Sequence, residues 1–192
     1  MPQLLLGASP PELGPFLDAP PRGWTVACTG VGQLLAASST ARLIQELHPS
    51  GVLFVGTCGH FDDRLKIGDV IWGAAAISSS LGECRGESYR PVIERTHWPA
   101  TMLPPALPAH RIVVPPAISR TREGAALLGG LGEAENLELT GVFSACHSAD
   151  VPVGAVLVVV NEVGPNGQAQ WLANHAAHST RLRDVLLSLG VL

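Results

Sequence analysis

Two glutamates and an asparagine in this chain stand where a ligand of an α/β protein would meet them. Glu12 closes the stretch Gly7-Ala-Ser-Pro-Pro-Glu12, just after a short apolar run. Asn161 follows directly on the aliphatic run Val156 to Val160, with Glu162 behind it. Glu138 opens a further apolar segment. A carboxylate can take a proton from water or accept from a hydroxyl. An amide does not titrate at useful pH, but it offers both a donor and an acceptor. Each group also has a plainer reading. Ser9-Pro10-Pro11-Glu12 fits a capping box, with Ser at the N-cap, Pro at the first helical position and Glu at the third. Glu138 in a first helical turn complements the helix dipole. Asn161 can begin the turn that continues through Gly164-Pro-Asn-Gly167, and Glu162 reads as a turn or surface carboxylate. On spacing alone the readings of Glu12, Glu138 and Asn161 stay open.

A sheet has to carry such positions. Gln3–Gly7 and Trp24–Cys28 read as short strands. Thr29-Gly-Val-Gly32 lacks the third glycine of a dinucleotide fingerprint and the Gly-Lys-Ser/Thr of a P-loop, so it reads as a structural turn. A helix follows to about Leu47, stopped by Pro49. Gly51–Gly56, GVLFVG, is continuously apolar, as parallel strands covered on both faces are. Gly68–Ala75, Arg111–Val114 and Gly154–Val160 are the other expected strands. Arg122–Gly129, Leu139–Ala149 and Ala169–Leu189 are the other expected helices. Residues 79–110 mix polarity with several prolines and read as irregular. The alternation predicts an α/β class with a central, mixed but mainly parallel sheet flanked by helices, in one domain over residues 1–192. In open α/β sheets ligands bind beyond the carboxyl ends of the strands. The first strand leads to Glu12, GVLFVG leads to Thr57-Cys58-Gly59-His60-Phe61, and the last strand leads to Asn161. Parallel strands would gather these on one edge, where Glu138 can join them.

Composition narrows the function. The 192 residues are 46% apolar and 15% charged, the balance of a core-rich globular chain. A net charge of −4 leaves no basic footprint for nucleic acid. No apolar run has the length of a membrane span, and the N-terminus carries no basic leader, so neither a membrane nor a signal peptide is expected. Cysteines 28, 58, 84 and 146 show neither CxxC nor zinc spacing; they read as reduced thiols of a cytoplasmic protein. His175 and His178 stand three apart on an expected helix without acidic ligands around them, so a solvated face is favoured over a metal site.

Longer motifs carry a resemblance. Gly7-Ala-Ser-Pro-Pro-Glu12, Thr29-Gly-Val-Gly-Gln33, Val55-Gly-Thr-Cys-Gly-His-Phe61, Leu65-Lys-Ile-Gly-Asp-Val70 and Asn136-Leu-Glu138 resemble segments of the nucleoside phosphorylase and nucleosidase superfamily. Leu65 to Val70 matches its LKxGDxV signature and is the most specific of these. The resemblance implies a purine nucleoside phosphorylase-like fold, a nucleoside substrate, no cofactor or metal, and a homo-oligomer of two or more copies. It implies catalysis by Glu12, which helps to activate the attacking water, and by Asn161. It implies substrate binding by Thr57, Cys58, Gly59, Leu137 and Glu138, with Glu138 gripping ribose hydroxyls. Asn161-Glu-Val-Gly-Pro165 with Trp171, and Leu81-Gly-Glu83, resemble stretches of the futalosine hydrolases within that superfamily. Those enzymes release hypoxanthine from futalosine in menaquinone biosynthesis. Departures from the family pattern fall at Val160 for Ser, Asn166-Gly167 for Arg-Asp, Leu137 for Met and His60 for Gly.

Adenine-cleaving relatives carry an Asp at the position of Asn161. An amide can donate to a 6-oxo group and accept from a protonated N7, so a 6-oxopurine such as hypoxanthine is the expected leaving base. Neither residues 7–12 nor residues 57–63 contain an Arg, which favours water over phosphate as nucleophile. The alternatives are a methylthioadenosine/S-adenosylhomocysteine-type nucleosidase, a purine nucleoside phosphorylase, a non-catalytic nucleoside-binding homologue and, with no cofactor loop in its favour, a flavodoxin-like domain.

Overall fold

The structure, a computed structural model, describes residues 2–192. Its strands are β1 (Gln3–Gly7), β2 (Trp24–Cys28), β3 (Val52–His60), β4 (Val70–Ser78), β5 (His97–Pro99), β6 (Ala109–Val114), β7 (Ala134–Glu135) and β8 (Val153–Glu162). Its helices are α1 (Pro10–Asp18), α2 (Gln33–Leu47), α3 (Leu81–Cys84), α4 (Arg122–Gly129), α5 (Leu139–Ser148) and α6 (Gly167–Ser188).

The long apolar strands form the centre because both of their faces are covered. β3 is buried from Val52 to Gly59, and β8 from Val153 to Val160. Their side chains alternate between two cores. Leu4, Leu6, Phe54, Leu157 and Val159 pack with Ala36, Ile44, Val142 and Phe143 of α2 and α5. Leu5, Leu53, Val55, Val156 and Val158 pack with Leu13, Phe16, Leu182 and Leu186 of α1 and α6. Gly141 lets α5 press against α2, because a side chain there would collide with the Gln33 carbonyl.

β2, β1, β3 and β8 run parallel, with Leu5 beside Val26 and Leu53, and Val55 beside Val156. β8 then pairs antiparallel with β4, and β4 pairs parallel with β6. β6 pairs parallel with β7, and β7 returns antiparallel to the end of β3. The ladder β3-β8-β4-β6-β7 therefore closes on itself as a small barrel, from which β1 and β2 extend. The sheet is mixed and mainly parallel, as its sequence implies.

Some boundaries differ. β3 runs on through His60 and β8 through Glu162, so Thr57, Cys58, Gly59 and Asn161 are strand residues and not loop residues. The ladder between the two strands holds these small and polar positions extended despite their weak strand propensity. Residues 79–110 are not wholly irregular, since they contain α3, β5 and the start of β6. β7 was not expected at all. The cysteines are free thiols. Among the described residues no helix is long and apolar enough to cross a membrane.

Candidate active site

The carboxyl ends of β1, β3 and β8, with β7 and the start of α5, enclose a cavity of about 250 Å³. Glu12, Thr57, Cys58, Gly59, Leu137, Glu138 and Asn161 all line it. Glu135, Ile118 and Gln168 also line it, and were not picked out by type or spacing; Asn136 and Trp171 line it too and had entered only as parts of motifs.

Glu12 enters from the first turn of α1. The capping box does not form: the Ser9 hydroxyl makes no capping bond. The Glu12 carboxylate turns toward β3, where Thr57 supplies two donors from one residue. Oε1 accepts the Thr57 backbone N–H at 3.0 Å and the Thr57 hydroxyl at 2.5 Å. That hydroxyl accepts in turn from the Trp171 indole Nε1–H at 3.0 Å. The Trp171 ring lies flat against His175, with centroids 4.3 Å apart and planes 6° off parallel. His175 thus belongs to the wall behind Glu12 and not to a solvated face. Among the described residues no cluster of His, Cys, Asp or Glu is arranged to hold a metal ion.

Glu138 occupies the N-cap of α5, one position before the expected first turn, but it does not cap the helix. Asn136 does so: its Oδ1 accepts the N–H groups of Glu138 and Leu139 at 2.9 and 3.0 Å. The Glu138 carboxylate is thereby free to face the cavity. Its Oε1 accepts the Gly32 N–H at 2.9 Å, and its Oε2 accepts from Asn136 Nδ2 at 3.0 Å. The turn at residues 29–32 has a use after all, since Gly32, at φ +89°, aims its amide at this carboxylate. Asn136 Nδ2 also donates to the Thr57 carbonyl at 3.2 Å. Residue 57 therefore ties both carboxylates together, one through its N–H and hydroxyl and the other through Asn136.

Asn161 lies beside Gly59, its register partner on β3. A Cβ on Gly59 would stand 2.7 Å from Asn161 Nδ2, so only glycine admits the amide there. Asn161 Nδ2 donates to the Glu162 carbonyl at 3.0 Å. Glu162 is an exposed residue outside the cavity lining, as its sequence context suggests.

Burial dominates the electrostatics. It raises the pKa of Glu12, against the Thr57 hydrogen bonds and the nearby His175. It pushes Glu138 up to about 7; the Gly32 and Leu137 amides and Asn136 oppose this, while the Glu12 charge adds to it. Burial also raises Glu135, whose oxygens accept the Ser119 N–H at 3.3 Å and the Ser119 hydroxyl at 2.7 Å. Cys58 is pushed far above the ordinary thiol range by burial and stays protonated. The cavity lining contains no Lys or Arg. Such a wall favours a cationic or neutral ligand over an anionic one.

Comparison with known proteins agrees with this architecture. A family model described as the phosphorylase superfamily matches residues 22–123, more than half of the chain. A futalosine hydrolase of Streptomyces coelicolor is 30% identical over 178 residues, covering 81% of this chain and 74% of that protein. The 5′-methylthioadenosine/S-adenosylhomocysteine nucleosidase of Helicobacter pylori superposes with a TM-score of 0.85 at 16% identity, covering 98% of this chain and 97% of that one. The native futalosine hydrolase of Helicobacter pylori superposes with a TM-score of 0.83 at 16% identity, over 98% and 97% of the two chains. At such identities the structural matches speak for the fold alone. The family match and the 30% identity together place the sequence: the chain belongs to the phosphorylase superfamily.

Proposed function

We propose that the chain hydrolyses the N-glycosidic bond of a 6-oxopurine nucleoside, and that this nucleoside is futalosine, cleaved to hypoxanthine and dehypoxanthine futalosine. The observation that carries the reading is the amide of Asn161, set against Gly59 in the wall of the cavity that Glu12 and Glu138 also face. The relative named futalosine hydrolase supports the same substrate. On that reading the step belongs to menaquinone biosynthesis, as the resemblance implies.

In this reading Glu138 accepts from ribose hydroxyls, and its charge sits near the sugar as the oxocarbenium-like state develops. Glu12 accepts a proton from water, and the water oxygen bonds to C1′ as the C1′–N9 bond breaks. The electron pair of that bond leaves with the base, which is then reprotonated. The Asn161 NH₂ meets the 6-oxygen, where charge accumulates on the leaving purine. Adenine would bring its own NH₂ to the same place. Leaving a buried polar group unmatched costs about 1–3 kcal/mol, roughly 5- to 150-fold in preference. Phosphate as the nucleophile is disfavoured by a lining without Lys or Arg.

We also infer a cytoplasmic assembly of two or more copies. Val31, in the turn before α2, and Leu34 and Leu35 at the start of that helix are exposed, and Val31 lines the cavity itself. Apolar surface of this kind beside a site suits a second copy that helps to close it.

Purified protein incubated without phosphate with futalosine, inosine and methylthioadenosine tests the proposal. Release of hypoxanthine from futalosine is expected. Preferential cleavage of methylthioadenosine would overturn the base preference, and phosphate-dependent release would overturn hydrolysis. Binding of hypoxanthine without cleavage of any nucleoside would mark a non-catalytic homologue.

A further inference from the structure

The cavity wall holds a third buried carboxylate, Glu135, that the chemistry above does not use. Glu135 is half of the two-residue strand β7, which closes the barrel against the end of β3. In that ladder Gly59 is the register partner of Glu135 on one side and of Asn161 on the other. Cross-strand partners project from the same face of a sheet. Glu135 and Asn161 therefore flank a glycine that contributes no side chain of its own, and both reach the same cavity. With strands spaced about 4.8 Å apart, their Cα atoms stand roughly 10 Å apart, a span that suits a flat ring hydrogen-bonded at its edge.

The bond from Asn161 Nδ2 to the Glu162 carbonyl sets which side of the amide carries the NH₂, but one amide donor reads only one atom of the base. A 6-oxopurine and adenine differ at two adjacent atoms: oxygen for NH₂ at position 6, and N–H for a bare nitrogen at position 1. An ionised carboxylate accepts and cannot donate. Burial raises the pKa of Glu135, and both Ser119 donors, its N–H and its hydroxyl, point at the carboxylate and oppose that rise. The nearby cations Arg64, His110 and Arg111 pair with Glu133, and among the described residues no ion pair reaches Glu135. A buried carboxylate left without a cation in a cavity wall is costly to the fold and marks a binding function.

We propose that Glu135 is a specificity-determining residue, whose carboxylate accepts the N1–H of the leaving base while Asn161 meets its 6-oxygen. This rests on the reading of the site as a 6-oxopurine nucleosidase. The pair fixes one polarity at each of the two atoms, a combination that a 6-oxopurine matches and adenine does not. Ser119 acts through Glu135 as a positioning residue, and it sits in the same segment as Ile118 at the cavity mouth.

Calorimetric titration of the free bases hypoxanthine and adenine separates this from the catalytic reading, because it needs no turnover. Wild-type protein should bind hypoxanthine the more tightly. Glu135→Gln should weaken hypoxanthine roughly 10- to 100-fold and bring the ratio of the two affinities toward one, since a Gln amide can donate to a bare N1. Ser119→Ala keeps the carboxylate and should lower both affinities together with the ratio preserved. Glu135→Asp retains the acceptor one methylene shorter; should the Gln variant fail to fold, Asp should still prefer hypoxanthine. Selection of hypoxanthine that is lost in the Gln variant supports the assignment even if no nucleoside is cleaved. A wild-type ratio in Glu135→Gln, or a wild-type protein that binds neither base, overturns it.

Discussion

The hydroxyl and the backbone N–H of Thr57 converge on a single oxygen of Glu12, Oε1, at 2.5 and 3.0 Å. Glu12 also lines the cavity, so the carboxylate can meet a ligand there. One residue thus sets the direction of the group proposed to activate water, and opposes the rise in pKa that burial imposes on it.

Glu12→Gln should lower turnover about 100-fold or more, the usual range for loss of a general base. It should also stabilise the protein. The folded state raises the Glu12 pKa above its ordinary 4.5, so the fold holds that proton more tightly than the unfolded chain does. Ionised Glu12 therefore destabilises the fold, beginning as pH rises through 4.5 and fully once pH exceeds the folded value. Thermal melts should place the variant above wild type at pH 8, with the gap closing toward pH 4. A variant no more stable than wild type at pH 8 would contradict the burial account.

Trp171→Phe keeps a ring against His175 and removes only the N–H that holds Thr57. One hydrogen bond of this kind is worth about 0.5–1.5 kcal/mol, so kcat should fall roughly 2- to 13-fold. KM for the nucleoside should change little, because the indole acts on the water-activating side. A rise in KM with kcat unchanged would instead put Trp171 in direct contact with the substrate.

Asn161→Asp exchanges a fixed donor for a group that titrates. Preference should move from hypoxanthine nucleosides toward adenine nucleosides, closing the roughly 5- to 150-fold gap that an unmatched polar group creates. Competition between inosine and methylthioadenosine in one reaction reads this ratio directly. An unchanged ratio would remove Asn161 from base recognition.

With its pKa pushed up to about 7, Glu138 changes charge near neutrality. Its ionised form is the stronger acceptor for ribose hydroxyls, so kcat/KM should rise with pH through about 7 and then level. Glu12 interacts with it, and the observed value belongs to the pair. Glu138→Gln should abolish that rise and increase KM. The same acid limb in the variant would assign it to Glu12.

Gly59→Ala should impair activity beyond its effect on folding. The new Cβ would stand 2.7 Å from Asn161 Nδ2 and 2.8 Å from Val163 Cγ2, so the amide has to move. A melting temperature within a few degrees of wild type, together with a loss of hypoxanthine binding, is the expected combination.

The parts legible in the sequence are those with strong local signals. GVLFVG and VGAVLVVV announce buried strands by unbroken apolar character, and the strand-end positions of Glu12 and Asn161 follow from them. β7 was hidden because two residues carry no periodicity, and its strand character comes from pairing with β3 and β6. Glu135 was masked by its neighbourhood: Glu133-Ala-Glu-Asn-Leu-Glu138 looks like a solvated acidic run. Asn136 was readable in principle, since Asn two residues before Glu138 is a good capping residue, and its presence there releases Glu138 from that task. The Ser9 capping box matched its pattern and still did not form, because Thr57 offers Glu12 two donors that local sequence cannot reveal.

The bonds that join Glu12 to Thr57 and Thr57 to Trp171 span 45 and 114 positions of the chain. Topologies dominated by such distant partners fold slowly, because long loops must close before the contacts repay them. The cavity exists only where the two ends of the polypeptide meet across β3, so no fragment of the chain that lacks either end can hold it.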